Sequence, residues 1–517
     1  MPTVNAPLTG IAPDYPVPGR FVEINWGVGP GGGGAGGRAI LLIGNKTSAG
    51  DATVDAAVYG PMTDLPLGNE KDCIARFGDG SELHRMYRRV RSINKTTDVY
   101  AIAATVSAGT AASTTITYTT SASAAGTAIV WMGDESIQVP IASGDDVTAI
   151  AAAVSAKINA KTSWPVTSSP SSGVITVTAK CVGLRGNALR LRAAVSPGIG
   201  TTVSPTVSTA FTSGATADSW TTALSTILPS RYYYIVSADT YDSGTPAAAS
   251  TNFAALVTQV TTQHQPITGI RQRVFAGHTG TAANAATLAS SSGVNSVLVE
   301  VVSLPSAEVT PAEMAAHYAA ATALFEANDY AYNFDDFGAS NGTAGYWKIP
   351  APFTQSAWLT PDQIKTALLN GVTPIASSMD GTKVVRAITT KCKSAGQYDY
   401  RVRDRQIVSV EHAWADTVVS DFLNYFANCK LSPDPKVGQP FPAGRVVTPT
   451  SAKTVVDDVT DRFESAGWLV DAAGTKSATQ VGPDPANNTR LNAKVPLKTI
   501  PMAHQFCFEI DDVSSAA

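Results

Sequence analysis

Arg38-Ala-Ile-Leu-Leu-Ile-Gly44, then Ser81-Glu-Leu-His-Arg-Met-Tyr-Arg-Arg-Val-Arg91, then Asp98-Val-Tyr-Ala-Ile-Ala103 decide the fold of this 517-residue chain. The first run is apolar from Ala39 to Ile43 and bounded by Gly37 and Gly44, which reads as a strand buried on both faces. In the second, Leu83, Met86, Tyr87 and Val90 recur at helical spacing behind Ser81, a residue suited to cap a helix. The third is another strand. Strand, helix and strand in this order make a β-α-β unit, and the pattern predicts a layered α/β sheet.

The same alternation returns from Asp218 onward. A helix carrying Trp220, Leu224 and Leu228 precedes a strand at 232–236, and a helix with Phe253, Leu256, Val257 and Val260 precedes strands at 273–277 and 296–302. The helix at 311–327 has Thr310 as N-cap, Pro311 at its first position and Glu313 to close a capping box. Thr360-Pro-Asp-Gln363 repeats the device. Asp380-Gly381 predicts a hairpin turn with a second strand at 383–389. Residues 407–429 read as mostly helical, and a last helix is expected behind Thr450 or Ser451, stopped by Gly467.

Composition shifts between these two stretches. No charged residue occurs from Val99 to Gly133, and Ser, Thr and Ala dominate. Strands are expected at 114–120, at 128–141 with a turn at Gly133-Asp134, at 173–180 and at 187–195, around a helix at 145–160. The chain is therefore read as α/β (α+β) and multidomain. The division is an N-terminal arm at 1–37, a layered core at 38–104 and 214–370, an inserted Ser/Thr/Ala-rich β domain at 105–213, a C-terminal α/β domain at 371–500 and a C-terminal arm at 501–517. Six prolines and the tract Gly29 to Gly37 favour extended or flexible backbone over helix in the first segment. Phe21, Val22, Glu23 and Ile24 form a short strand in it; Phe506, Phe508 and Ile510 fall on one face of another at the opposite end.

Only 15% of residues are charged, against about a quarter in ordinary soluble domains. A net charge of −4 supplies no cationic field for a phosphate backbone. A nucleic-acid binder is not expected. Cys73, Cys181, Cys392, Cys429 and Cys507 include no C-x-x-C pair and read as reduced core thiols. No basic n-region with an apolar stretch opens the sequence, and no apolar run approaches the ~18 residues of a membrane span. Synthesis in the cytoplasm and no membrane binding are the expectations.

The motifs that could carry chemistry are weak. Gly27, Gly29 and Gly32 satisfy G-x-G-x-x-G, but a strand rather than a helix comes next, so a loop is read in place of a dinucleotide cradle. Gly338-Ala-Ser-Asn-Gly342 matches the nucleophile-elbow pattern, yet the run from Thr343 to Pro350 does not read as the helix that pattern needs. A serine hydrolase using Ser340 with His412 or His504 is the alternative reading, separable by fluorophosphonate labelling. The six histidines show no ligand spacing, and His317 reads as a structural imidazole. Adjacent Asp335-Asp336 and Asp457-Asp458 do not face each other and read as solvated turns or helix starts. Arg85, Arg88, Arg89 and Arg91 read as a solvated face, with contact to an acidic neighbour as the other reading. No catalytic, cofactor-binding or metal site is expected.

Several stretches taken in order resemble a known family: Phe21-Val-Glu-Ile-Asn before 38–44; Phe77-Gly-Asp-Gly-Ser-Glu-Leu-His-Arg-Met; Asp98-Val-Tyr-Ala-Ile-Ala; Leu369-Leu-Asn-Gly-Val-Thr-Pro-Ile; Asp380-Gly-Thr; Val385-Arg-Ala-Ile-Thr-Thr; Val446-Val-Thr-Pro; and Ala486-Asn-Asn-Thr-Arg-Leu-Asn-Ala-Lys-Val-Pro. The chain resembles the contractile tail sheath proteins of Mu-like bacteriophages and, more distantly, the sheaths of related contractile injection machines. The long Gly29 to Gly37 tract departs from that pattern. The resemblance implies a virion structural protein, made in the host cytoplasm, that stacks as hexameric rings around a tail tube and contracts to drive the tube through the host envelope for genome ejection. It implies neighbouring sheath subunits, the tail tube protein, the baseplate and the tail terminator as partners, a tube-facing C-terminal domain, and no cofactor. It also implies that terminal arms add strands to sheets of adjoining subunits, the role it gives to the strands at Phe21–Ile24 and Phe506–Ile510, with Gly31, Gly32, Gly33 and Gly34 as the hinge of the first arm. Another structural phage component, such as a baseplate or capsid-surface protein, is the second alternative reading.

Overall fold

A computed structural model describes residues 38–61, 65–106, 109–227, 232–237, 250–338, 346–440 and 444–504. Its centre is a seven-stranded sheet with the strands Gly381–Val384, Val372–Ser378, Val299–Ser303, Arg273–His278, Tyr232–Ser237, Ala39–Gly44 and Val99–Ala103 side by side. All neighbours pair in parallel except Gly381–Val384, which turns back on Val372–Ser378 as a hairpin. Ile40 and Leu42 enter one core, Ala39, Leu41 and Ile43 the other. A strand apolar on both faces thus receives a helical layer on each. The helices Glu70–Phe77, Glu82–Ile93 and Pro311–Glu326 cover one face. Thr221–Thr226, Thr251–Gln263, Ala282–Ala289 and Pro361–Leu369 cover the other. The expected mixed α/β architecture is present, and its sheet runs on through residues 372–384.

Ser81 caps Glu82–Ile93 by accepting from the His84 N–H. Thr310 and Glu313 form the capping box of Pro311–Glu326, and Thr360 and Gln363 that of Pro361–Leu369. The Pro311–Glu326 helix is buried on nearly every side, because helix Glu82–Ile93 covers one flank and the sheet the other. Its entry depends on a close approach. A Cβ on Gly277, in the Arg273–His278 strand, would lie 2.0 Å from the Pro311 carbonyl oxygen.

Residues 111–212 build a core of their own. Ala111–Tyr118, Val174–Val182, Val166–Ser171 and Val203–Ser204 make one sheet; Gly126–Met132, Glu135–Ile141, Arg190–Val195 and Thr209–Ala210 make a second. Helix Val147–Ala160 packs against them. Helices Arg405–Phe426 and Pro449–Ser465 form a fourth core with Tyr330, Leu469 and Leu497.

Several elements differ from expectation. The Pro449–Ser465 helix starts behind Thr448, with Pro449 at its first position in place of a cap at Thr450 or Ser451, the same Thr-Pro device that marks the two earlier helices. The second hairpin strand stops at Val384, because Val385 stands opposite Pro374, which accepts the Val385 N–H at 3.0 Å but has no N–H to return, and the ladder ends there. The strand Val166–Ser171, with Pro170 in it, lies at a sheet edge where a missing N–H is tolerated. The short helices Glu70–Phe77, Ala282–Ala289 and Ala472–Ala478 add to the expected set, each being too brief for periodicity to register in the sequence. Of the cysteines, Cys73 and Cys392 are buried, whereas Cys181 and Cys429 are only half-buried.

Two substitutions rank the contributions around Pro311. Thr310→Ala removes a cap and is expected to cost about 1 kcal/mol. Gly277→Val forces the strand from the helix start and is expected to cost about 1–3 kcal/mol or more. Urea denaturation of both variants checks the order.

Candidate functional site

Strand Ala39–Gly44 has Val99–Ala103 on one side and Tyr232–Ser237 on the other, so the winding direction reverses here. Open α/β sheets hold ligands beyond the carboxyl ends of strands at such a point. In this chain the carboxyl end of Ala39–Gly44 is covered by the chain itself. The Asn45 N–H donates to Glu82 Oε2 at 2.9 Å, and Asn45 Nδ2 donates to Asp218 Oδ1 at 3.2 Å. Arg185, from the inserted region, donates to Glu82 at 2.7 Å and lies 2.5 Å from Asp218, with its guanidinium 5.0 Å from the Trp220 ring centre. The space left beside this cluster is ≈ 20 Å³, about one water. The place a ligand would fill in other folds of this type is here a clamp between the inserted region and the sheet.

A cavity of ≈ 210 Å³ lies between the inserted region, helix Glu82–Ile93 and the start of Pro311–Glu326. Its charges pair across it: Arg85 donates to Glu313 at 2.7 Å, Arg89 to Asp134 at 2.6 Å, and Arg88 lies 3.0 Å from Glu135. Arg85, Arg88 and Arg89 therefore contact acidic neighbours, while Arg91 donates to the Tyr87 hydroxyl and to the carbonyls of Asn94 and Thr97. Burial alone would raise the Glu313 carboxyl; Arg85, Arg89 and hydrogen bonds from Thr310 hold it down to about 2.

The most heavily charged place in the interior lies under residue 38. Glu326, fully buried at the end of its helix, accepts hydrogen bonds from Arg38, from Arg273 at 3.2 Å, from Ser409 Oγ at 2.6 Å and from the Tyr234 hydroxyl. Arg405 Nε lies 3.7 Å away. Arg273 also bonds Glu300, which accepts from the Tyr318 hydroxyl at 2.9 Å. The Arg38 guanidinium lies between two rings, 4.4 Å from Tyr233 and 4.3 Å from Tyr330. Burial opposes ionisation of Glu326, but Arg273, Arg38 and Arg405 bring its carboxyl down to about 2. Burial pushes Glu300 up, against the pull of Arg273. Sequence reasoning misses this set. Its one signal there is a charge inside otherwise apolar helix and strand patterns, at Glu326, Arg273 and Arg405.

The opposite end of the described chain is fixed nearby. His504 Nδ1 bonds Asp335, and Nε2 lies 3.7 Å from Asp404 Oδ2. Asp404, directly before helix Arg405–Phe426, accepts two hydrogen bonds from Arg386 at 2.8 Å. Residue 38 thus reaches the first turns of this helix through Glu326, which Arg405 and Ser409 also contact, and residue 504 lies beside Asp404 at its start.

The sequence-derived site residues Phe21, Val22, Glu23, Ile24, Gly31, Gly32, Gly33, Gly34, Phe506, Phe508 and Ile510 lie outside the described residues, as does Ser340. His412 is buried in Arg405–Phe426, where its Nδ1 meets the Tyr233 hydroxyl at 2.8 Å and its ring lies 5.0 Å from that of His264. His317 is buried and accepts from the Lys348 N–H at 3.1 Å. Asp336 pairs with Lys383, Asp457 with Lys453 and Asp458 with Arg462, while Asp335 is the partner of His504. Among the described residues no cluster of His, Cys, Asp or Glu is placed to hold a metal ion, and no helix is long and apolar enough to cross a membrane.

No protein-family model matches the chain, and no curated protein does. Among solved structures, it is similar to a sheath tail protein of Desulfitobacterium hafniense at 13% identity and TM-score 0.44, covering 93% of this chain and 100% of that one. A sheath tail protein of Listeria innocua aligns at 11% identity and TM-score 0.48, over 90% of this chain and 93% of that one. A chain from the baseplate of the anti-feeding prophage aligns at 16% identity and TM-score 0.36, over 55% and 69%.

Two measurements test the electrostatics. Glu326→Ala leaves buried arginines without their carboxylate and is expected to cost about 3–5 kcal/mol in urea denaturation. Glu411 is the opposite case: burial raises its carboxyl to about 8, so the unfolded chain ionises it from about pH 4.5 while the folded chain keeps it neutral. Its destabilising effect grows from about pH 4.5 to about pH 8. Glu411→Gln should therefore gain stability over the parent near pH 8 and little near pH 4; an equal effect at both would contradict the assignment.

Proposed function

We propose that the chain is a structural subunit of a contractile tail sheath, assembled with further copies of itself around a tail tube between a baseplate and a terminator. The resemblance carried by the ordered segments from 21–25 to 486–496 motivates the reading. The observation that carries it is the anchoring of both ends of the described body close to the start of helix Arg405–Phe426, Arg38 on Glu326, which Arg405 also meets, and His504 beside Asp404. A pull on either terminal segment would reach the same rigid point. Such a body can move as a unit while the segments beyond residues 38 and 504 tether it to neighbours.

In this reading the strands at Phe21–Ile24 and Phe506–Ile510 extend sheets of adjoining copies, and Gly31–Gly34 act as the hinge. Four or five ladder bonds at ~0.5–1.5 kcal/mol, with two phenylalanines at ~1.5–3 kcal/mol each, give on the order of 5–13 kcal/mol per junction. Lost rigid-body freedom on association opposes this by ~4–15 kcal/mol. One junction is marginal; a lattice with several per subunit is not. The free subunit then stays monomeric until a template aligns many arms. Contraction is a passage from a metastable lattice to a more stable one. Virion localisation and genome ejection belong to the same proposal.

Electron microscopy of overexpressed protein is expected to show hollow cylinders. A chain ending at His504 retains its anchor but lacks the strand, and should form none while keeping the parent melting temperature. Ordinary cylinders from that truncation would refute strand exchange.

A further inference from the structure

The hairpin at 391–403 bears a concentration of positive charge unusual in this acidic chain. Lys391, Lys393, Arg401 and Arg403 lie within it against the single carboxylate Asp399, which pairs with Arg401 at 2.8 Å and leaves the other three cations in excess. Lys393–Ser394 pairs with Gln397–Tyr398 around Ala395 and Gly396, both at positive φ (49° and 82°), the backbone of a tight two-residue turn. Tyr398 and Tyr400 stack at 5.8 Å with 20° between their planes, although Tyr398 is 59% exposed. Lys393 Nζ lies 5.7 Å from the Tyr398 ring centre and the Arg403 guanidinium 5.0 Å from that of Tyr400. The Tyr400 hydroxyl donates to the carbonyl of Leu369, itself exposed. The result is an open surface of stacked aromatic rings edged by cations.

The segment beyond the described body has the complementary chemistry. Residues 505–517, Gln-Phe-Cys-Phe-Glu-Ile-Asp-Asp-Val-Ser-Ser-Ala-Ala, carry Glu509, Asp511 and Asp512 and no cation, with Phe506 and Phe508 before them and Ile510 among them. It departs from the right place. His504 lies beside Asp404, the residue next to Arg403. From residue 504 to residue 511 an extended chain reaches about 23–25 Å, and the same number of residues separates Asp404 from Gln397 in the hairpin.

We propose that, in the unassembled subunit, residues 505–517 dock in cis on the 391–403 hairpin, with Glu509, Asp511 and Asp512 against Lys391, Lys393 and Arg403 and the phenylalanines against the stacked tyrosines. This deepens the sheath reading and rests on it for its purpose: the strand to be exchanged is held by its own chain until a neighbour competes for it. The hairpin cations are half-buried or exposed, so salt weakens the attraction.

The test is hydrogen exchange on the full-length monomer at low salt. The parent is compared with a Glu509→Gln, Asp511→Asn, Asp512→Asn variant, and a Lys391→Gln, Lys393→Gln variant probes the other side. Amides of 393–400 are expected to exchange roughly fivefold faster in either variant, and in the parent after salt is added, with melting temperatures unchanged. The parent's protection is expected to be independent of dilution. Equal exchange in parent and tail variant overturns the proposal. Protection lost on dilution overturns it as well, since a second copy's tail would then be the occupant. Every readout is made on free subunits, so the cis contact can fail while cylinders form, and the sheath reading can fail while the contact stands.

Discussion

One buried carboxylate holds the parts of this molecule together. Glu326 gathers Arg38 from the approach to the first sheet strand, Arg273 from the middle of the sheet, and Arg405 and Ser409 from the C-terminal helix. Taking such ions out of water costs several kcal/mol each, and only close mutual pairing with further hydrogen bonds offsets the loss. Tyr234 and Ser409 supply those bonds to Glu326, and Tyr318 supplies one to Glu300. An apolar cluster could provide comparable stability, but it would tolerate sliding. Directional pairing among four chain segments fixes their relative placement.

A second set of pairings plays the corresponding part for the inserted region. Arg185 with Glu82 and Asp218, and Arg89 with Asp134, join it to the sheet through charge rather than through a continuous apolar core. The Arg185 clamp also occupies the end of the sheet where a doubly wound fold would receive a ligand. On the proposed sheath reading the division of labour is plain. Interior ion pairs keep each subunit rigid, and the terminal segments beyond residues 38 and 504 carry the connections.

How much the sequence reveals depends on how local the determinant is. Thr310, Pro311 and Glu313 lie within four positions of one another, so their helix start is legible directly and is reproduced bond for bond. The alternation of apolar strands and amphipathic helices points to the sheet because burial on two faces leaves no other pattern at Ala39–Ile43. The Glu326 cluster is illegible for the converse reason: Arg38 and Glu326 are 288 residues apart, and nothing in either neighbourhood names the other. The hairpin strand at 381–384 ends early because Pro374, opposite Val385, has no N–H to return; the proline is visible in the sequence, but its effect is legible only once the register sets the two residues against each other. The Arg88 and Arg89 partners, Glu135 and Asp134, lie in the inserted region, so the face they form can be assigned only once that region is positioned.

Where the two chain ends go in the assembled state decides between a strand-linked lattice and a stack of separate bodies. A high-resolution electron-microscopy map of the intact particle tests this most directly. Residues 21–24 and 506–510 are predicted to appear as strands added to sheets of adjoining subunits, with Arg38 and His504 still anchored at helix Arg405–Phe426. A map in which each terminus folds back along its own subunit, with no strand crossing between copies, would contradict it.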